Sequence, residues 1–272
     1  TGGNSSYQNI TGGTMILAID CGNTHTYFGC IDDTGKILQI FTMEGNRKKT
    51  SYEYAADIDE ICTLLKMDVH AFHAMVLSSV VPVLTGSFQE AAKILGIEDC
   101  LVVKKENVSS LRFPDAVGEE IGPDLIVAAV AAVKRYPLPA IIIDMGTAST
   151  LTVIDREGTF SGGVILPGVG ISMNALAKET SLLPSIDVAP SKKLISLNTI
   201  DAMRSGIIYG TAGSLDGIID RFLEELGEEA SILATGGLSP LICPYCRHHI
   251  TVDENLLLSG LWEIWKEAKG IG

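Results

Sequence analysis

A chain of 272 residues, 46% of them hydrophobic, is long enough for one large domain or two of ordinary size with packed cores. Its formal net charge of −13 argues against a surface that binds nucleic acid or an anionic membrane, so an anionic substrate must be met by amides, metal ions or a few basic side chains. No apolar run of membrane-spanning length and no charged-then-apolar leader are visible, and six scattered cysteines indicate a reducing cytoplasm rather than a disulfide framework.

The first 14 residues are rich in Gly, Ser and Asn and precede Met15, so we expect them to be a disordered cloning remnant. The rest of the first half predicts three meandering strands followed by alternating helix and strand. These elements are strands 15–20, 24–32 and 36–41, helix 52–66, strand 74–79, helix 83–95 and strand 100–103, with a hairpin turn at 32–35.

The second half repeats this order. Its predicted elements are strands 140–144, 149–155 and 159–165, helices 170–179, 199–210 and 214–226, strand 231–234 and helix 254–269, with a turn at 155–158. Each half is therefore expected to form a mixed sheet with helices on its faces, which gives an α/β fold.

One short pattern occurs in both halves. Asp20-Cys-Gly22-Asn23-Thr24 and Asp144-Met-Gly146-Thr147 each follow a short apolar run and place an acid, a glycine and hydroxyl or amide residues at a tight turn. Glycine lets the backbone approach an anion, turn amides and hydroxyls donate to its oxygens, and the carboxylate can hold a metal or its waters. A single turn of this kind most often only reverses the chain, but the duplication favours two turns that bind a nucleotide's phosphates from both sides.

A second cluster of candidate ligands is Cys243-Pro-Tyr-Cys246-Arg-His248-His249, which could offer thiolates and imidazoles to zinc. Structural zinc sites usually take their ligands from two separated knuckles, and the chain has no second C-x-x-C. A solvent-facing loop with free thiols is therefore favoured over a metal site.

Five further motifs accompany the two turns: Thr50-Ser-Tyr-Glu53-Tyr54, Ser78-Ser79-Val80-Val81-Pro82, Gly162-Gly163-Val-Ile-Leu-Pro167-Gly168, Thr180-Ser-Leu-Leu-Pro184 and Thr235-Gly236-Gly237. With this ordered series, the chain from Met15 onward resembles the type III pantothenate kinases of the actin, Hsp70 and sugar kinase superfamily. The resemblance implies duplicated ribonuclease-H-like (actin-like ATPase) domains, each a mixed five-stranded sheet with helices on its faces. The N-terminal domain would span 15–119, the C-terminal domain 120–272, and a cleft would separate them.

The resemblance also implies a function, which is ATP-dependent phosphorylation of pantothenate to 4′-phosphopantothenate, the first step of coenzyme A biosynthesis, by a cytoplasmic homodimer. It makes Asp124 the catalytic base, Asp20 the magnesium ligand and Asp144 the ligand of a monovalent cation, potassium or ammonium. The expected ATP contacts are Asp20, Gly22, Asn23, Thr24, Gly146, Thr147, Gly236 and Gly237; the expected pantothenate contacts are Phe113, Gly122, Asp124 and Thr180, the last across the dimer interface.

Two points leave alternatives open. Outside the family context, an Asp at the start of a helix is more often a plain N-terminal cap than a base. The family's Arg after the base is Leu125 here, which has neither its charge nor its fork of donors, and Phe113 stands in place of an aromatic hydroxyl. The alternatives are a catalytically impaired nucleotide-binding paralogue with a regulatory role, or a kinase of the same superfamily with a different small-molecule alcohol acceptor.

Overall fold

Two five-stranded sheets form the framework of the protein in the computed structural model, which describes residues 14–118 and 121–271. The first half contains β1 (Met15–Cys21), β2 (His25–Asp32), β3 (Ile37–Glu44), α1 (Ser51–Leu64), β4 (Phe72–Ser79), α2 (Pro82–Ile94) and β5 (Asp99–Val102). The second contains α3 (Pro123–Arg135), β6 (Ala140–Met145), β7 (Ala148–Ile154), β8 (Phe160–Pro167), α4 (Val169–Glu179), α5 (Thr199–Leu226), β9 (Ser231–Thr235), α6 (Ser239–Ile242), β10 (Thr251–Val252) and α7 (Leu256–Lys269).

The two sheets have matching topology. Their strand orders are β3-β2-β1-β4-β5 and β8-β7-β6-β9-β10, and β1 and β6 occupy the central positions. In each sheet the central strand pairs antiparallel with the next strand in sequence and parallel with the strand that follows a helix. The predicted pair of mixed five-stranded sheets is confirmed, and it places the carboxyl ends of β1 and β4, and of β6 and β9, at equivalent edges.

Helices α3 and α7 share one apolar core with residues of both sheets. This core includes Ile16 of β1, Val76 of β4 and Ile142 of β6 together with the buried faces of the two helices. The helices approach each other closely, since a Cβ atom at Gly260 of α7 would overlap the carbonyl oxygen of Val127 in α3. Helix α3 is thereby held between the halves. Two other cores lie under α1 and α2 on the first sheet and under α4 and α5 on the second.

The structure corrects one predicted element. Helix α5 runs unbroken for 28 residues, so the predicted interruption at 211–213 is wrong. Glycine costs only about 1 kcal/mol in a helix interior. Burial of Ile208, Ala212 and Leu215 in the core of the second sheet outweighs that cost. The element pattern also contained no helix over the length of α3, and it missed the short helix α6 and the two-residue strand β10.

The expectation for residues 1–14 lies outside the described residues, except for Thr14, which is exposed and hydrogen-bonds to Asp33. The domain boundary at 119/120 stays a prediction. Within the described part of the chain, no helix has the length and apolar content needed to span a membrane.

Candidate active site

Three aspartates converge where the two halves meet. Asp20 lies near the end of β1, Asp144 near the end of β6, and Asp124 in the first turn of α3. Burial, followed by the charges of Asp144 and Asp124, raises the pKa of Asp20 to about 7, and burial and Asp124 raise the pKa of Asp144 to about 7. Such mutual effects require short separations. The prediction that Asp20 and Asp144 share a cleft is consistent with this arrangement.

Asp124 is not the N-cap of its helix. Gly122 occupies that position and Pro123 precedes the aspartate, so the plain-cap interpretation is wrong. Burial raises the pKa of Asp124, while the backbone N–H of Leu125 donates to its Oδ1 at 3.0 Å and opposes the rise. A Cβ atom at Gly122 would overlap the same Oδ1 atom, so glycine leaves room for this carboxylate orientation.

The carboxylates have the chemistry of cation sites. No basic side chain of the described residues is among the causes of the pKa shifts of Asp20, Asp124 and Asp144. The same residues contain no group of three His, Cys, Asp or Glu side chains close enough to ligate one ion. Magnesium keeps several waters and needs only one or two protein carboxylates, so a single aspartate of this cluster is compatible with a magnesium site.

The two predicted phosphate turns face each other. Thr24 Oγ1 and Thr147 Oγ1 hydrogen-bond at 3.0 Å, although the residues are 123 positions apart in the chain. A backbone hydrogen bond between residues close in sequence closes each turn. Gly22 N–H donates to the carbonyl of His25 at 3.0 Å, and Gly146 N–H donates to the carbonyl of Ala148 at 3.1 Å. The exposed hydroxyls of the two halves therefore lie side by side.

The third glycine turn lies beside the second phosphate turn. Thr235 pairs with Asp144 in the parallel register of β9 and β6, so Gly236 and Gly237 emerge at the same sheet edge. Gly236 has φ +87°, and a Cβ atom there would lie 2.6 Å from the backbone of Met145. Only glycine fits this position without strain. Ligands in open α/β sheets bind outside the carboxyl ends of strands, which is where these turns lie.

Comparison with known proteins assigns the family. The family model for type III pantothenate kinase matches residues 16–221, most of the chain. The chain belongs to the type III pantothenate kinase family. It is similar to the type III pantothenate kinase of Rubrobacter xylanophilus (39% identity, covering 91% of this chain and 96% of the relative) and to that of Halalkalibacterium halodurans (35% identity, covering 93% and 99%). The predicted family is thus confirmed.

Solved structures agree on the fold. Component A of the Acidaminococcus fermentans (R)-2-hydroxyglutaryl-CoA dehydratase aligns with a TM-score of 0.57 at 14% identity, covering 94% of this chain and 99% of that one. The activator of the Clostridium difficile 2-hydroxyisocaproyl-CoA dehydratase aligns with a TM-score of 0.55 at 11% identity, covering 94% and 97%. At these identities the likeness concerns fold alone, and it agrees with the predicted α/β fold of two mixed five-stranded sheets.

In this member of the type III pantothenate kinase family, two site neighbours were missed by sequence reasoning. Tyr27 pairs with Asp20 across β2 and β1, and its pKa is raised by burial and by Asp20 and Asp144. Ser78 pairs with Asp20 from β4, is fully buried, and partly offsets the rise in the aspartate's pKa, although its geometry falls outside that of a regular hydrogen bond. The available signals were an aromatic hydroxyl three residues beyond Thr24 of the first turn, and a serine near the end of an apolar strand.

The predicted pantothenate contacts are spread over a wider area. Gly122 and Asp124 are adjacent at the aspartate cluster. Phe113 instead packs 6.1 Å from the Phe160 ring, and exposed Thr180 follows α4 and donates to the carbonyl of Leu176 at 2.6 Å. Neither hydrogen-bonds to an aspartate of the cluster within the described residues, so their roles stay predictions.

The Cys243 to His249 segment is held by helix α5. The Asp216 carboxylate accepts the backbone N–H groups of Arg247 and His248, and His248 Nε2 lies 2.8 Å from Asp220 Oδ1. Cys243 is buried and Cys246 half-buried, so the expected solvent-facing loop is wrong for these thiols. Burial raises the pKa of both thiols.

Proposed function

We propose that this protein transfers the γ-phosphoryl group of ATP to the primary alcohol of pantothenate and releases ADP and 4′-phosphopantothenate. Family membership supports this activity. The observation that carries it within the molecule is the contact between Thr24 and Thr147 beside the three aspartates, because it brings two phosphate-type turns and a candidate base to one cleft. No observation favours a regulatory paralogue or another acceptor.

Asp124 acts as the general base in this scheme. Its raised pKa makes it a stronger proton acceptor than an exposed aspartate, and it takes the proton of the pantothenate hydroxyl as the oxygen attacks. A bond forms between that oxygen and the γ-phosphorus, and the bond from phosphorus to the bridging oxygen of ADP breaks. Phosphoryl transfer depends on in-line positioning and charge neutralisation more than on covalent help from protein.

The other site residues position the nucleotide. Asp20 would hold magnesium and Asp144 a monovalent cation, and these ions supply the positive charge that offsets the phosphates and the carboxylate cluster. Asn23, Thr24 and Thr147 donate to phosphate oxygens. The glycines of the three turns have no side chain, so phosphate and nucleoside can pack against their backbone. They are Gly22, Gly146, Gly236 and Gly237.

The test is ATP consumption by the purified protein with and without pantothenate, with potassium, ammonium or sodium as the only monovalent cation. We expect pantothenate-dependent turnover, stimulated by potassium or ammonium, and a phosphorylated product with the mass of 4′-phosphopantothenate. Binding of ATP without pantothenate-dependent turnover would contradict the proposal and support the impaired paralogue.

We further propose that the protein acts as a homodimer. Eight large apolar side chains between residues 165 and 200 are exposed, and we interpret this concentration of exposed apolar side chains in one segment as a protein interface. We call them the apolar face. They are Ile165, Ile171, Leu176, Leu182, Leu194, Ile195, Leu197 and Ile200. Thr180 lies within the same segment. This position agrees with its expected contact with pantothenate across the dimer interface.

Disruption of the apolar face is expected to lower activity. Leu197→Asp places a charge on a fully exposed leucine of this face and should produce a monomer with reduced turnover, measured by light scattering and ATP consumption over a dilution series. Leu64→Asp is the matched control, because Leu64 is 74% exposed on α1. A fully active monomer would contradict both the dimer and the assignment of Thr180.

The cellular location that we propose is the cytoplasm. All six cysteines are free thiols, as expected in a reducing compartment. With a net charge of −13, we expect neither nucleic acid nor a membrane among its partners.

A further inference from the structure

Arg47 brings a cationic side chain to the first phosphate turn. Its Nη2 atom donates to Asn23 Oδ1 at 3.2 Å, and Asn23 is the residue between Gly22 and Thr24 in that turn. The guanidinium has five N–H donors, so the single bond to Asn23 leaves others available. The side chain is exposed at this position rather than buried in an ion pair.

The segment that carries Arg47 is fixed against the turn. Gly45 N–H donates to the carbonyl of Thr24 at 2.9 Å, and a Cβ atom at Gly45 would lie 3.5 to 3.6 Å from three carbonyl oxygens of the turn. The next residue, Asn46, exchanges two hydrogen bonds with the buried Tyr54, whose hydroxyl accepts from its N–H at 3.1 Å and donates to its carbonyl at 2.8 Å. The two residues that precede Arg47 are therefore held in place, one against the turn and one against Tyr54.

The negative charge around the cleft favours a cation at the position of Arg47. Three carboxylates converge there, and their mutual repulsion is not relieved by a basic side chain of the described residues. A nucleoside triphosphate adds several further negative charges. A guanidinium is well suited to this position, because its planar donors match phosphate oxygens and it remains charged at all working pH values.

We propose that Arg47 binds the terminal phosphate oxygens of the bound nucleotide and orients them against the first phosphate turn, with Asn23 fixing its position. This inference rests on the proposed function in that it assumes a nucleoside triphosphate in the cleft. It assigns a phosphate-contacting residue outside both Asp-x-Gly turns. Arg47 acts as an oriented donor of hydrogen bonds and not only as a source of positive potential.

The test compares Arg47→Ala and Arg47→Lys with Lys48→Ala. Lys48 is the neighbouring exposed cation, so its removal changes the net charge equally without touching Asn23. We expect Arg47→Ala to weaken magnesium-ATP binding in calorimetry by about 10- to 100-fold, the loss typical of a charge-assisted hydrogen bond. Adenosine binding should be unchanged, Arg47→Lys should recover only part of the ATP affinity, and Lys48→Ala should stay within about twofold of the unaltered protein, as for a screened surface charge.

Direct binding separates this inference from the proposed function, because calorimetry with ATP and adenosine needs no acceptor. If the unaltered protein binds ATP but shows no pantothenate-dependent turnover, the proposed function fails while the effect of Arg47 is still decided. Equal effects of Arg47→Ala and Lys48→Ala on ATP affinity would overturn the inference, and so would full rescue by Arg47→Lys. Absence of ATP binding by the unaltered protein would overturn both.

Discussion

Replacement of Asp124 by Asn is expected to lower kcat for pantothenate phosphorylation by about 10²- to 10⁴-fold, the usual contribution of a positioned general base. Asn is nearly isosteric and can still accept the Leu125 N–H through its amide oxygen, so the start of α3 should be preserved. It cannot take the proton of the attacking hydroxyl. The affinity for magnesium-ATP should change little, because the hydrogen bond that the Asp124 carboxylate makes is to the Leu125 N–H and not to a phosphate turn.

The control for this substitution is Asp59→Asn, which removes an exposed carboxylate from helix α1. It changes the net charge equally and should leave kcat unaltered. Single-turnover kinetics and calorimetry on both variants separate a chemical defect from a binding defect. Unchanged turnover in Asp124→Asn would remove this residue from the mechanism, and an equal loss in both variants would indicate a general charge effect.

The repeated architecture was largely predictable from the sequence because its signals are local. Strands β1 and β6 are short apolar runs that end in an acid and a glycine, and both were located within one or two residues. Helix α1 begins at a capping box in which Thr50 Oγ1 accepts from Glu53 N–H and the Glu53 carboxylate accepts from Thr50 N–H. Local signals of this kind depend little on tertiary context.

What the sequence could not supply is proximity between distant segments. Arg47 reaches the first turn only because β3 runs alongside β2 and returns the chain to Gly22 and Asn23. Tyr27 faces the aspartates because the register of β2 places it opposite Asp20. Helix α7 ends the chain but packs against the first sheet and α3, a long-range contact that no periodicity encodes.

The largest expected effect on stability comes from Asp144→Asn, which should stabilise the ligand-free protein at pH 8 while impairing activity. The pKa of Asp144 is raised from an ordinary 3.8 to about 7 by burial and by Asp124. Because its pKa is higher in the folded than in the unfolded state, Asp144 favours folding when it is protonated. This contribution to stability is complete below about pH 4 and is lost as the pH rises through about 7. At pH 8 the ligand-free protein therefore holds a partly buried charge near Asp20, Asp124 and Tyr27.

Asn removes that charge, so the free energy of unfolding at pH 8 without added magnesium or nucleotide should rise by about 1 to 3 kcal/mol, an order-of-magnitude value for a partly buried carboxylate beside like charges. At pH 4, where Asp144 is already protonated, the variant and the unaltered protein should differ by much less. Potassium-stimulated turnover should fall in the variant, because the amide cannot balance the cation's charge. Urea denaturation at both pH values and turnover with potassium or sodium measure these effects.

Asp216→Asn is the matched control for stability. Asp216 is buried, and its carboxylate accepts the backbone N–H groups of Arg247 and His248. The amide that replaces it offers one acceptor oxygen instead of two, so this variant should be less stable at pH 8, the opposite sign to Asp144→Asn. Two results would contradict this prediction: a variant less stable than the unaltered protein at pH 8, or the same change in stability at pH 8 and pH 4. Either would show that the Asp144 carboxylate is not an uncompensated charge beside Asp20 and Asp124. Its assignment as the ligand of a monovalent cation would then lose its physical basis.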